Sequence, residues 1–491
     1  MYALLLLAAI NVLNYLDRNV IFALFEPIKR DLGLTDTQLG WLGSAYILVF
    51  SVTALPAGVL SDIRSRRAVI AGGVAVWSAF TLVSGLVKSF AQLFWCRALV
   101  GVGEAAFGPA SSSLVADYFP GKARALAMGV LSSGIALGGV LGILLGGQLE
   151  ALYGWRVAFM AVAAPGFLFA FLAGRLKDPT RPPEKVSIRD TLQELGMGLT
   201  SLVRQLLPTI IGTLVGLMAA YRVDPEITRA RLDIAVFSVF LGLGVAINFL
   251  KWVRQIRARQ IDETLFGGQF GSAIEDLVRA GAIVLRTPTL KYVFVAGALV
   301  SFGMNGLVGW APTFVARELG MTAADASVLL GKWGLIFGTA GTLFGGWLAD
   351  QLRKYTESGR VIVVAAGLLI GGPLATWLLT LRDPAVFVPV FCGAFFCLTW
   401  YNGPLSATIF DVVPARISAT VAGAYLLFIH LVGDAIAFPL VGMLSDRFGL
   451  DRAILLLPIV SVAGGAVVLF AIGTVAHDTT RAARRIGRPE P

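Results

Sequence analysis

Charge is scarce in this sequence. Only 14% of its 491 residues are Asp, Glu, Lys or Arg, whereas 57% are hydrophobic. A water-soluble chain carries about a quarter charged residues, so a polar surface over the whole molecule is excluded. Histidine occurs twice and cysteine three times. Cys96, Cys392 and Cys397 all lie in apolar runs and give neither a disulfide framework nor metal-ligand spacing. No phosphate-cradling Gly-Lys-Ser/Thr loop is present, which argues against ATP-driven work. No soluble-enzyme constellation is found either, so the chain reads as a non-enzyme without a cofactor.

What the chain does have is hydropathy, with a mean of +0.79. Apolar runs of ~18–25 residues, the length that crosses a bilayer, recur along it. They read roughly as 3–27, 37–61, 68–87, 91–116, 123–149 and 156–175, then 289–315, 325–350, 361–381, 385–410, 417–442 and 453–475. The expected class is an all-α polytopic membrane protein. Met1 to Leu7 has an apolar signal-like character but no basic lead-in, and it runs on into Asn11, Asn14 and Asp17, so it reads as helix 1. Almost nothing precedes that helix, so Met1 need not be the natural start.

Net charge is +10. The basic residues sit mainly in loops of one parity (Arg64, Arg66, Arg67, Lys122, Arg124, Arg353, Lys354, Arg360) and in the tail (Arg481, Arg484, Arg485, Arg488). This is the positive-inside pattern rather than a nucleic-acid surface, and it places both termini in the cytoplasm of a cell membrane, most simply a bacterial inner membrane.

The two sets of six look like copies. Gly58-Val59-Leu60-Ser61-Asp62 follows the second helix of one set, and Gly346-Trp347-Leu348-Ala349-Asp350 that of the other. Asp117-Tyr118-Phe119-Pro120 with Arg124 matches Asp411-Val412-Val413-Pro414 with Arg416. The expected organisation is a bundle over 1–175, a central insertion over 176–288, a second bundle over 289–475 and a basic tail over 476–491. The insertion opens on the breaker-rich Lys177-Asp178-Pro179-Thr180-Arg181-Pro182-Pro183. Its apolar runs Leu206–Ala220 and Ile234–Leu250 read as an extra helical hairpin of two crossings, or as a hairpin lying on the membrane.

Ionisable groups inside the apolar runs carry the functional signal. Asp17, Glu104 and His430 each lie roughly 12–13 residues from the same membrane face, which is ~18–20 Å deep at 1.5 Å per residue. Groups at that depth are expensive and usually line a polar cavity. Arg97, Gly101, Glu104 and Gly108 share one helix face, as do Asn11, Asn14 and Arg18, with Asp17 beside them. Asp17, Glu104 and His430, the last four residues before Asp434, are the candidate proton-coupling groups. Arg18, Arg97, Asn14, Lys332, Asn305, Tyr401 and Asn402 are the candidate substrate contacts. Asn305 and the Trp400-Tyr401-Asn402-Gly403-Pro404 string mark irregular, polar helix sections. Gly134, Gly138, Gly142 and Gly146 form a stripe that lets another helix approach closely.

The loop Gly58…Asp62-Ile63-Arg64-Ser65-Arg66-Arg67 resembles the signature loop of the major facilitator superfamily, with Ile63 and Ser65 in place of the usual basic residue and glycine. The glycine stripe resembles that family's helix-5 motif, with Ile135 where its proline is expected. Asn14-Tyr15-Leu16-Asp17-Arg18, Arg97-Ala98-Leu99-Val100-Gly101-Val102-Gly103-Glu104-Ala105, Leu34-Thr35-Asp36-Thr37-Gln38-Leu39-Gly40 and Gly154-Trp155-Arg156 together look like Spinster-type major facilitators. The resemblance implies two six-helix bundles that rock about a central site. It implies Gly58, Asp62, Arg66, Arg67, Gly346 and Asp350 as a conformational latch. It also implies alternating access by a monomer, with protons and an amphipathic anion such as a lysophospholipid or lipid phosphate as cargo. A proton symporter of sugar acids and a non-transporting receptor of the same fold remain the alternatives.

Overall fold

The computed structural model describes residues 1–63, 65–120, 123–178 and 273–486, with isolated helical residues between 207 and 254. One compact unit comprises Met1–Glu184, Thr287–Ser418 and Ala422–Pro491, and a second comprises Lys185–Arg286 with Ala419–Val421. Among the described residues there is no strand.

In the first unit the N-terminal half runs α1 (Tyr2–Ala23), a short α2 (Phe25–Leu32), α3 (Asp36–Ile63), α4 (Arg66–Ser84), α5 (Phe90–Tyr118), α6 (Ala123–Tyr153) and α7 (Trp155–Gly174). The second unit contributes α8 (Ala273–Arg286), an amphipathic helix. The C-terminal half runs α9 (Pro288–Glu318), α10 (Ala323–Arg353), α11 (Gly359–Leu378), α12 (Pro384–Leu398) and α13 (Asn402–Val412), then α14 (Ala415–Ile429), α15 (Ala435–Phe448), α16 (Leu450–Ala453), α17 (Leu456–Leu469) and α18 (Ile472–Ile486). A 3-10 turn, Thr399–Tyr401, joins α12 to α13, and a π turn, His430–Asp434, joins α14 to α15. Ten of the described helical stretches are long and apolar enough to cross a membrane. With α3 and α5 they make the two expected sets of six.

Three expectations need correction. The first helix stops at Ala23 rather than running to residue 27, because Pro27 in α2 lacks the N–H that a continuous helix needs. The tail is not simply a basic extension. It folds as α18, whose buried Asp478 accepts the Thr289 backbone N–H at 3.0 Å and caps the start of α9. Asn305 sits in an uninterrupted helix, whereas the Trp400 region is irregular as expected. The runs 206–220 and 234–250 fall outside the described residues apart from isolated positions, as do the surroundings of Gly58 and the side chain of Asp62.

The backbone repeats the duplication. Among the described residues four glycines have positive φ, and they pair between the halves: Gly33 (64°) with Gly320 (66°), and Gly154 (81°) with Gly449 (87°). Only glycine adopts this conformation without strain. After the first pair comes the same cap. Thr35 Oγ1 accepts from Gln38 N, and Thr322 Oγ1 from Asp325 N, at the start of α3 and α10. At the opposite end Arg66 pairs with Asp117 at 2.6 Å, and Arg360 with Asp411.

The glycine stripe of α6 packs on α1. A Cβ at Gly138 would lie 2.3 Å from the Val12 carbonyl, and one at Gly142 2.5 Å from that of Leu16. Further along, Gly147 meets Ser327 and Gly331 faces Leu144, so α6 and α10 touch near the loop that follows α1. At that same end the halves close on each other. Phe22 stacks on Phe438 at 5.0 Å, Phe25 meets Trp310 at 5.4 Å, and Gly40 sits against the Phe438 carbonyl.

Candidate functional site

Helices α1 and α5 each bring one acid and one base into the bundle, and these pair crosswise. Arg97 Nη1 donates to Asp17 Oδ1 at 2.8 Å, and Nη2 to the Asp17 carbonyl at 3.0 Å. Thr81 of α4 donates to the other Asp17 oxygen. Arg18 Nε donates to Glu104 Oε2 at 2.5 Å. The four charges cancel, which lowers the cost of burying them in a low-dielectric bundle. Arg97 has no exposed surface and Glu104 only 1%. Among the described residues, Glu104 Oε1 and Asn14 Nδ2 have no hydrogen-bond partner.

The Arg18 guanidinium is caged by aromatic rings. Tyr15 lies 4.7 Å, Tyr46 5.7 Å and Phe50 4.6 Å from it, centroid to carbon. Such faces attract a cation and exclude water around it.

The C-terminal half supplies a second polar cluster. His430 Nδ1 lies 2.6 Å from Asp434 Oδ2 across the π turn. Asp434 Oδ1 accepts from Ser301 and, at 2.9 Å, from Asn305 Nδ2. Gly433 allows this approach, because a Cβ there would come within 2.7 Å of the Ala298 carbonyl of α9. π turns inside α-helices frequently mark functional positions.

A cavity of about 750 Å³ lies beside this cluster. Its walls come mostly from the C-terminal half, with Tyr15 and Asn19 of α1 and part of α6 closing it. They are largely apolar. Leu330, Phe391 and Phe395 form part of one region, while Asn305, Thr342, Tyr401, Asn402 and His430 supply polar groups. Asn402 Nδ2 donates to Thr342 Oγ1 at 3.1 Å. Among the described lining residues none is Lys, Arg, Asp or Glu, and His430 alone can become cationic.

Of the candidate substrate contacts, Asn305, Tyr401 and Asn402 line this cavity. Arg18, Arg97, Asn14 and Lys332 do not. Arg97 is sealed by its partner Asp17, and Lys332 is exposed with its ammonium 4.8 Å from the Trp333 ring. Of the proton-coupling candidates, His430 lines the cavity, whereas Asp17 and Glu104 sit in the crossed pairs. Of the latch candidates, Arg66 binds Asp117 and Asp178, Arg67 donates to the Leu176 carbonyl at 3.3 Å, and Asp350 lies 3.6 Å from Arg360. These contacts run within a half, not between halves.

The contacts that do join the halves were missed in the sequence. Arg317 of α9 binds Asp36 through both terminal nitrogens, at 2.7 and 2.8 Å, and Glu26 at 2.5 Å. Lys29 and Ser445 also donate to Asp36, at 2.6 and 2.5 Å. Burial at this extramembrane helix end opposes ionisation of Asp36, but the hydrogen bonds from Arg317, Lys29 and Ser445 outweigh it and hold the carboxyl below the usual carboxylate range. Asp446 of α15 accepts the Asp36 and Thr37 backbone N–H groups at 2.8 and 2.9 Å, capping α3 from the other half.

Comparison with known proteins agrees with this architecture. The chain is 27% identical to an MFS-type efflux pump of Mycolicibacterium smegmatis over 92% of its own length and 87% of the relative's. It is 24% identical to the mouse protein named sphingosine-1-phosphate transporter SPNS2, over 97% of this chain and 78% of that one. The fold matches the crystal structure of a bacterial homolog of the human lysosomal transporter Spinster, in an inward-facing and occupied conformation, with a TM-score of 0.70 at 21% identity over 97% of both chains. The Major Facilitator Superfamily profile matches residues 7–433, so the chain belongs to that superfamily, as a multi-pass transporter of the Spinster type.

Proposed function

We propose that the protein is a proton-coupled secondary transporter that moves an amphipathic anion, a lysophospholipid or related lipid phosphate, by alternating access. The observation that carries this reading is the cavity: a predominantly apolar lining that also holds amide, hydroxyl and imidazole groups, among them Asn305, Thr342, Tyr401, Asn402 and His430. Such a surface suits a chain with a polar head better than a small, uniformly polar solute. A sphingosine-1-phosphate transporter among the relatives supports the same class.

With both termini cytoplasmic, the closed end around Asp36 faces outward. Protonated His430 supplies the positive charge that an anionic head needs. Protonation and anion binding then favour each other, and linkage requires the effect to be reciprocal.

The test is competition in proteoliposomes. Lysophosphatidic acid and a sugar acid are each offered against a labelled lysophospholipid, with and without an inward proton gradient. The proposal expects competition by the lipid alone, gradient-driven accumulation, and tighter binding as pH falls. Competition by the sugar acid alone supports the organic-anion reading. Binding without accumulation supports the receptor reading.

A further inference from the structure

One aromatic side chain touches both charged sites. Phe50 belongs to α3 in the N-terminal half. The Arg18 guanidinium lies 4.6 Å from its ring centroid. The His430 imidazole, in the C-terminal half, stands perpendicular to the same ring with centroids 6.5 Å apart. The Phe50 backbone is held from the other side by α5. A Cβ at Gly101 would come within 2.9 Å of Phe50 N and 2.5 Å of the Tyr46 carbonyl, so the two helices are in direct backbone contact there. Three residues after Gly101 in the same helix is Glu104, the partner of Arg18.

We propose that Phe50 is a positioning residue for coupled transport: its ring keeps water out of the gap between the Arg18–Glu104 pair and the His430–Asp434 pair, so that each pair feels the charge state of the other across the two halves. This deepens the proton-coupled reading and rests on it.

The physical reason is dielectric. A charge interacts with another several-fold more strongly through protein than through water. Among the described residues, the groups around His430 come from several elements. Asp434 is on its own helix, and Ser301 and Asn305 of α9 hold that carboxylate. Tyr401 and Tyr425 share the cavity wall with it. Behind Phe50 stand Arg18 of α1 with Tyr15, Tyr46 of α3, and Glu104 of α5. Phe50 is therefore a ring that touches both Arg18 and the imidazole, with Tyr46 beside it on the Arg18 side. A smaller side chain at position 50 opens that gap to water and screens the coupling. Because α3 and the π turn belong to different halves, rocking of the halves makes and breaks the Phe50–His430 contact, whereas the Phe50–Arg18 contact stays within one half.

The chain has only two histidines, His430 and His477, so imidazole NMR of the full-length, histidine-labelled protein in nanodiscs reads His430 directly once His477→Gln assigns the other signal. Glu104→Gln removes a negative charge and leaves Arg18 unbalanced, which disfavours protonation of His430. The expected result is a fall of about one pH unit in the His430 midpoint. In a Phe50→Ala background the same substitution moves the midpoint by less than half as much, and Phe50→Tyr restores the full shift. Arg18→Met provides a second arm of opposite sign should Glu104→Gln not fold. An equal shift with and without the ring overturns the proposal, as does the absence of any shift from either charge substitution. Failure of the proton-coupled reading is a separate result: uptake indifferent to the proton gradient while the NMR coupling persists.

Discussion

Arg317 and Asp36 hold the two halves together by a bidentate ion pair, with both guanidinium terminal nitrogens within 2.8 Å of the carboxylate. The pair lies between α9 and the first turn of α3, and Asp446 returns the contact from α15 by capping that turn. A fork-to-fork pair fixes orientation as well as distance, so this end closes in one register. When the end opens, the Asp446 cap and the Arg317 pair are lost together, while Thr35 and Lys29 of the same half stay with α3 and Asp36.

Arg317→Ala should therefore shift the population toward opening at this end. Removing one partner of a largely buried pair costs ~2 kcal/mol or more, a change on the order of 30-fold in the equilibrium. Spin labels at the exposed residues Lys88 and Thr380, one in each half, read the separation. An unchanged distance distribution would show that aromatic packing around Phe438 suffices to close the end.

The same pair should be indifferent to pH in the physiological range. The folded Asp36 carboxyl is held below its ordinary value, so its contribution is present above the unfolded carboxylate pKa. It is lost only as pH falls through the lower folded value. Asp36 stays ionised between pH 5 and 8, so any pH response of the spin-label distances should persist in Arg317→Ala, with its midpoint moved only as far as the population shift requires. Loss of the pH response in that variant would assign proton sensing to this end.

Neighbouring glycines of α6 should separate packing from cargo. Gly138 has no room for a Cβ against Val12, whereas a Cβ at Gly139 meets only Asn19 at 3.7 Å, and Gly139 lines the cavity. Gly138→Ala should destabilise the protein by ~1–3 kcal/mol and lower its melting temperature. Gly139→Leu should leave melting unchanged and weaken binding of the labelled lysophospholipid at least tenfold, about the 1.4 kcal/mol that a lost or blocked contact represents. Intact binding in Gly139→Leu would move the cargo away from α6.

Local periodicity made the helices and the duplication legible, because each is read from short stretches of the chain. Spacing along α1 and α5 put Asp17, Arg18, Arg97 and Glu104 on approaching faces, but not which acid meets which base. That choice depends on the relative rotation and stagger of two helices, which no single segment encodes. The outer contacts were invisible for the same reason: Asp36 and Asp446 are 410 residues apart and look like ordinary loop acids. The substrate assignments of Arg97 and Lys332 came from charge alone. Burial decides otherwise for Arg97, since both terminal nitrogens are engaged by Asp17 and the side chain has no exposed surface for a ligand to reach. Phe50 gave no signal at all, being one of 31 phenylalanines in an apolar run.

The crossed pairs distinguish the two membrane-embedded acids. Both Asp17 oxygens are engaged, one by Arg97 and one by Thr81, and Arg97 also holds the Asp17 carbonyl. A proton arriving there has to displace an existing donor. Glu104 has one oxygen on Arg18 and the other buried without a partner, so it can accept a proton while keeping its contact. Glu104→Gln should therefore abolish proton-gradient-driven uptake while leaving substrate exchange across the membrane intact. Asp17→Asn should instead act on stability, since it leaves the Arg97 charge buried and unbalanced, a loss of ~3–5 kcal/mol. Thermal melting and uptake, measured on both variants in proteoliposomes, separate the roles. Normal gradient-driven uptake by Glu104→Gln, together with a normally stable but uncoupled Asp17→Asn, would transfer the proton to Asp17 and make the Arg18–Glu104 pair the structural one.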